Sequence, residues 1–151
     1  MDVLLVRHAT GADLAQLVPL CIEHAAFERL PHGLGEHADA LAAALDATPA
    51  RLHAWLALHA GDAVGYATAT FDFSTLGGAP YLHMDCLYVR ESWRNRAIGK
   101  RLWQALHSFA LGAGCRVMQW QTPSWNEAAA RFYRRLGARE TLKRRYELPL
   151  A

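Results

Sequence analysis

Residues 79–112, APYLHMDCLYVRESWRNRAIGKRLWQALHSFALG, read as a buried strand, a short basic connection and an amphipathic helix. The apolar run ends near Val89, and from Ala97 the residues Ile98, Leu102, Leu106 and Phe109 recur at the spacing of one helix face, which predicts a helix over 97–112. Arg94 and Arg96 stand in the connection, with Lys100 and Arg101 just inside the helix. A helix N-terminus already carries free N–H groups and about half a positive charge from its aligned peptide dipoles. Cations placed there work against the dipole, so the arrangement points to an anion, a phosphate or pyrophosphate, held by both.

Around this unit the chain alternates elements as an α/β fold does. VLLVRHA, residues 3–9, predicts a first strand. Thr10 with Asp13 resembles a capping box, and Leu14, Leu17, Val18, Cys21, Ile22 and Ala25 follow at helical spacing to about Phe27. LPHGLGEH, residues 30–37, breaks the helix, and residues 38–47 predict a second one. Residues 51–60 and 63–73 flank Gly61-Asp62, a turn suited to an antiparallel hairpin. After Gly112 and Gly114, residues 115–121 (CRVMQWQ) predict a fifth strand. Ser124 with Glu127 predicts the capping box of a last helix, which ends at Gly137, and residues 138–148 (ARETLKRRYEL) close with strand-like residues.

A chain of 151 residues, 52% hydrophobic and 20% charged, is one folded domain and not a disordered segment. The net charge of +2 is too small to call for nucleic acid or an anionic membrane, although the basic residues, almost all arginine, gather in 90–101 and 131–145. Cys21, Cys86 and Cys115 have no paired spacing and read as reduced thiols. With no signal-like leader and no long apolar run, the expected location is the cytoplasm. The eight histidines, His32, His37, His53 and His59 among them, form no compact ligand set, so no metal is expected.

Two motifs add a resemblance. RNRAIG, Arg94 to Gly99, resembles the acetyl-CoA pyrophosphate loop of the GNAT acetyltransferases, commonly written [QR]-x-x-G-x-[GA], and departs from it at Ala97. Because alanine tolerates helical φ and ψ, Ala97 is expected to perturb the contact and not to abolish it. WNEAAARFYRRLGA, residues 125–138, is similar to the W-N-x-x-A-x-x-F-Y-x-x-x-G-[AF] segment of the same family. Together they support a resemblance that covers nearly the whole chain and implies the GNAT fold as a single domain: a central mixed, mostly antiparallel sheet flanked by about four helices. The implied activity is direct transfer of an acetyl group from acetyl-CoA to a primary amine. AAFERLP, YLHMDCLYV and WNEAAARFYRRLGA are most similar to the diamine and polyamine acetyltransferase group, in which two adjacent acidic residues precede the strand end; here the second is Cys86.

An alkyl ammonium titrates near pH 10, so transfer needs a base, direct or through water. Asp85, a carboxylate among apolar strand residues, is the candidate, with burial expected to raise its pKa; the alternative is a strand-end carboxylate paired with an arginine. Glu28, after Phe27, lies where the GNAT fold places its acceptor pocket and could hold the ammonium, with Phe27 and Cys86 beside it; the alternative is ordinary surface charge. The resemblance makes Tyr133 the general acid for the departing thiolate. Tyr133 and Phe132 are adjacent and face different sides, so Tyr133 is expected to leave the core face of Ala129, Phe132 and Leu136. Asn126 would contact CoA or serve the helix start. Backbone groups of Leu87, Tyr88 and Val89 would hold the thioester oxygen and pantetheine arm, and Arg94, Asn95, Arg96, Ala97, Ile98, Gly99 and Lys100 the pyrophosphate. Cys86 as an acyl-carrying nucleophile lacks an activating base, and direct transfer needs none. The five tryptophans could line a pocket or fill the core. Other readings are a non-catalytic acyl-CoA-binding regulator, an enzyme acting on a protein amine, and, much less favoured, a nucleic-acid-binding module. The resemblance also implies a homodimer.

Overall fold

Strand β1 (Leu4–Ala9) opens a five-stranded sheet in the computed structural model, which describes residues 3–31 and 34–151. After a 3-10 turn at Gly11–Asp13 come α1 (Leu14–Phe27), α2 (Leu34–Asp46), β2 (His53–His59), β3 (Asp62–Ser74) and β4 (Ala79–Val89). A second 3-10 turn, Glu91–Trp93, leads to α3 (Ile98–Gly112), β5 (Met118–Trp120) and α4 (Glu127–Arg135). The chain divides into two compact units, Met1–Gln121 and Thr122–Ala151.

The sheet runs in the order β1-β2-β3-β4-β5, antiparallel throughout except for the parallel pairing of β4 with β5. Neighbouring side chains on a strand point to opposite faces, and β3 shows what covers each. Tyr66 reaches His24 of α1, whereas the Cβ direction of Gly65 meets Leu102 of α3. The α1 side buries Leu17, Leu20, Leu45, Ala54, Leu56 and Tyr66 together. The α3 side buries Ile98, Leu102, Leu106 and Ala110 along one helix face, as the spacing predicts except that Ala110 replaces the half-buried Phe109. Burying a leucine fully is worth about 1.5–3 kcal/mol, so these two faces are the main stabilising term.

The capping box at the start of α1 forms: Thr10 N–H donates to Asp13 Oδ2 at 2.9 Å, and Thr10 Oγ1 accepts from Ala12 N–H. The buried face of α1 is Leu17, Leu20 and His24, so the expected stripe of Leu14, Val18, Ile22 and Ala25 is only half-buried. The second helix begins at Leu34 and not at residue 38; a non-helical residue, His37 (φ −119°), joins a short first turn to the predicted helix. Gly35 in that turn is tolerated at the modest cost glycine carries in helices. His32 lies outside the described residues.

Two other expectations change. The fifth strand is three residues long and pairs with β4 only from Leu82 to Met84, where the β4 bulge follows. The C-terminal segment forms no strand: Leu142, Tyr146, Leu148 and Leu150 sit at alternate positions but are exposed, and among the described residues no ladder pairs with them. Strand-like residues make a strand only against a partner edge. No helix among the described residues is long and apolar enough to cross a membrane.

Gly65 lets β4 approach β3. A Cβ there would stand 2.9 Å from the Tyr88 carbonyl oxygen and 3.3 Å from Leu102 and Val89. Gly65→Ala is expected to destabilise by about 1–3 kcal/mol, read by denaturant melting. Burial lowers the pKa of His8, His24 and His53; His8 lies 4.4 Å from the Trp55 ring and His53 4.8 Å from that of Phe109. The folded state thus binds protons less readily than the unfolded chain. Stability is expected to be level above the unfolded histidine value of about 6.5 and to fall as pH drops below it, measurable by melts between about pH 5 and 8.

Candidate active site

The site grows from an irregularity in β4. Thr68 pairs with Cys86 and Ala69 with Met84, so Asp85 is an extra residue without a partner on β3. Such a bulge bends a strand and re-aims its side chains. The β4–β5 ladder ends at Met84 opposite Trp120, and among the described residues no strand pairs with the outer edge of β4 from Asp85 to Val89. The bulge also brings Asp85 out to solvent. Its side chain is 61% exposed, with His83 Nε2 at 3.8 Å, which corrects the expectation of a buried carboxylate.

Following β4, the basic connection leads to an open helix start. The residue before α3 is Ala97, whose side chain provides no cap, and the first intrahelical bond runs from Arg101 N–H to Ala97 carbonyl at 3.1 Å. The amides of Ile98, Gly99 and Lys100 therefore have no intrahelical acceptor, and no acidic residue offsets them in the first turn. Ala97 has φ +61° and Asn95 φ +63°, both left-handed. The expectation of right-handed helical angles at Ala97 is thus overturned: the loop needs the backbone shape that glycine adopts freely, and alanine holds it under strain.

The cations of this segment divide by what they touch. Arg94 turns inward: its Nε donates to the Val89 carbonyl at 3.0 Å, and its guanidinium lies over the rings of Phe27 (4.7 Å) and Tyr88 (5.6 Å). Arg101 donates to the Leu4 carbonyl at 2.9 Å. Arg96, over Trp93 at 4.8 Å, and Lys100 are exposed.

The end of α1 brings a second set of groups against β3 and β4. Glu28, with its side chain 23% exposed, is far more enclosed than Asp85 and sits 3.4 Å from His24 Nε2. His24 Nδ1 is 2.6 Å from the Tyr66 hydroxyl. Burial lowers the His24 pKa and raises that of Tyr66 far above the phenol range. The Cys86 thiol is pushed up to about 12, by burial first and by the charge of Asp85 second, so it stays protonated at neutral pH and is a poor nucleophile. Beside this set, Glu23 pairs with Arg90 at 3.0 Å and accepts from the Tyr88 hydroxyl at 3.5 Å. Sequence reasoning missed His24, Tyr66, Glu23 and Arg90. For His24 a signal existed: it follows Leu17 and Leu20 on one face of the helix.

Among the tryptophans, Trp55 is buried in the core, and Trp103 stacks on His107 and meets Trp120 edge-on at 6.4 Å. In the second unit, α4 is capped by Asn126, whose Oδ1 accepts from Ala129 N–H at 3.1 Å, so Asn126 takes the capping role expected of Ser124. Phe132 and Tyr133 are both half-buried, their rings 5.3 Å apart, so the expected split into core and exposed residues is not seen.

Comparison with known proteins matches residues 20–138 to the model of a family described as Acetyltransferase (GNAT) family. The chain is 28% identical over 118 residues to a thialysine N-epsilon-acetyltransferase of Caenorhabditis elegans, covering 78% of this chain and 72% of that one. It is 28% identical over 93 residues to an aminoglycoside N(6')-acetyltransferase type 1 of Salmonella typhimurium, covering 60% and 64%. Its fold is similar to a solved aminoglycoside N-acetyltransferase in complex with CoA, with TM-score 0.85, 21% identity, and coverage of 100% and 97%.

The strained start of α3 is testable. Ala97→Gly is expected to stabilise the protein by about 1 kcal/mol, seen as a rise in Tm, because it removes the Cβ clash of the left-handed conformation.

Proposed function

This chain belongs to the GNAT acetyltransferase family and is an acetyl-CoA-dependent N-acetyltransferase; we propose that its acceptor is a primary amine of a small molecule, diamine-like, polyamine-like or amino-acid-like. One observation carries the reading: the edge of β4 left open beyond the Asp85 bulge runs directly to an uncapped helix N-terminus. A strand edge without a partner suits an amide-bearing arm, and free amides in a basic setting suit a pyrophosphate. The residues therefore fit acetyl-CoA, which supplies an acetyl thioester when bound.

The amides of Ile98, Gly99 and Lys100 hold the pyrophosphate, and the Arg96 and Lys100 side chains add charge. Arg94 and Asn95 keep the loop in shape. Backbone groups of Leu87, Tyr88 and Val89 hold the arm and the thioester oxygen. Glu28, with Phe27 and Cys86 beside it, receives the ammonium. Asp85 takes the proton that must leave before nitrogen can attack, directly or through the water its exposure admits. Tyr133 returns a proton to the sulfur, and Asn126 lies at the CoA site; for these two the support is the family motif. The names of the two relatives, one for thialysine and one for an aminoglycoside, both describe transfer to nitrogen.

Calorimetric titration of acetyl-CoA, followed by a panel of diamines, polyamines, thialysine, lysine and aminoglycosides scored by release of free CoA thiol, tests the reading. Micromolar binding with turnover on one amine class supports it, and binding with turnover only on protein amines overturns the small-molecule acceptor. Asp85→Asn and Tyr133→Phe are each expected to lower kcat on the order of 10²-fold while leaving acetyl-CoA affinity within a few-fold. We also read the chain as a homodimer, because Leu142, Tyr146, Leu148 and Leu150 are apolar side chains exposed at alternate positions that a second copy can cover. Light scattering that returned only the monomer mass would count against that.

A further inference from the structure

We infer that His24, held by Tyr66, is a positioning residue for Glu28: the buried imidazole orders the carboxylate that receives the acceptor's ammonium group. The inference rests on the amine acetyltransferase reading and goes beyond it, since it gives two further residues a part in acceptor binding.

His24 is 8% exposed and stands one helical turn before Glu28 on α1. Its ring is stacked on Tyr88, at 5.1 Å and 23°, and meets Tyr66 edge-on at 5.6 Å, so packing from β3 and β4 prevents it from turning. The hydrogen-bond inventory then fixes its state. A neutral imidazole has one N–H and one acceptor nitrogen, and an ionised carboxylate only accepts. Facing Glu28 Oε1 at 3.4 Å, Nε2 carries the proton, which leaves Nδ1 to accept from the Tyr66 hydroxyl at 2.6 Å. With the hydroxyl hydrogen given to Nδ1, the polarity runs from Tyr66, whose oxygen also faces the Cys21 and Cys86 thiols, through the imidazole to the carboxylate. The order matters because a glutamate side chain otherwise spreads over several rotamers, and a carboxylate aimed by a buried partner presents one geometry to its ligand.

Protonation gives the arrangement a second consequence. The groups facing His24 are Glu28 on α1, Tyr66 on β3, and Tyr88 with the charge of Asp85 on β4, while the Cys21 and Cys86 thiols face the Tyr66 hydroxyl. When His24 takes up a proton it becomes the cation that Glu28 neutralises, and Glu28 is lost to the amine. Burial keeps this step below the ordinary histidine range, so near neutral pH the imidazole is uncharged and Glu28 is available.

Nitrogen-15 NMR of the histidines in the intact protein reads the tautomer without any variant. Nε2–H with bare Nδ1 is expected for His24 at neutral pH, and Nδ1–H would overturn the inference. In steady-state kinetics, His24→Leu and Tyr66→Phe are each expected to raise KM for the amine on the order of tenfold, with KM for acetyl-CoA unchanged. Tyr66→Phe removes a single oxygen and keeps the ring, so it stands in if His24→Leu fails to fold. His24→Gln, which keeps an N–H toward Glu28, is expected to hold amine KM near the parent value at neutral pH and to abolish its rise in acid. Equal losses toward both substrates, or an acid rise that persists in His24→Gln, would show a structural role only. If acetyl-CoA binds and no amine turns over, the acceptor reading fails, and the tautomer still decides whether His24 orders Glu28.

Discussion

One extra residue in β4 sets the rest of the molecule in place. With Asp85 inserted opposite the Thr68–Ala69 step, β4 follows β3 on one side to Val89 but leaves β5 after Met84 on the other. Backbone polar groups on a strand edge seek partners, and among the described residues no strand pairs with the outer edge of β4 from Asp85 to Val89, where Arg94 takes the Val89 carbonyl. The same bulge turns the Asp85 carboxylate to water. A regular ladder would have carried β5 further along β4 and closed the edge that a substrate arm can use.

The close fit of β4 depends in turn on what lies beneath it. Gly65 admits the Tyr88 carbonyl, Leu102 seals the α3 side, and Tyr66, Tyr88 and His24 fill the α1 side. Both helices thus meet the sheet at the stretch where the edge opens. The connection that follows stores strain at Ala97 and Asn95 in exchange for a helix start whose amides point out uncapped. Backbone strain of this kind persists where the surroundings over-determine it, and functional loops are where it collects.

Two acidic side chains that look alike in the sequence end in opposite settings. Asp85, surrounded by apolar neighbours in the chain, is exposed, while Glu28, at a helix end that reads as surface, is enclosed by His24. Chain neighbours do not determine burial when a bulge shifts the alternation by one residue. The polar core of His24, Tyr66, Cys21 and Cys86 joins residues of α1, β3 and β4 that are far apart in the chain, and no local pattern announces it. Arg94 was legible as a cation near the phosphate loop, yet packing against Phe27 and Tyr88 turns it inward.

Local rules were enough for much of this protein. The α/β order, β4 over Ala79–Val89, the inner face of α3, the Gly61-Asp62 hairpin, the capping box at Thr10 and the basic loop before a helix all rest on contacts within a few residues, so periodicity and cap chemistry read them directly. Tertiary structure alone decided the bulge at Asp85, the shortness of β5, the left-handed Ala97, the absence of a C-terminal strand and the His24–Tyr66 contact. The bulge, the short β5 and the His24–Tyr66 contact each depend on a partner distant in the chain, and the energy of such a pairing is not written in either segment by itself.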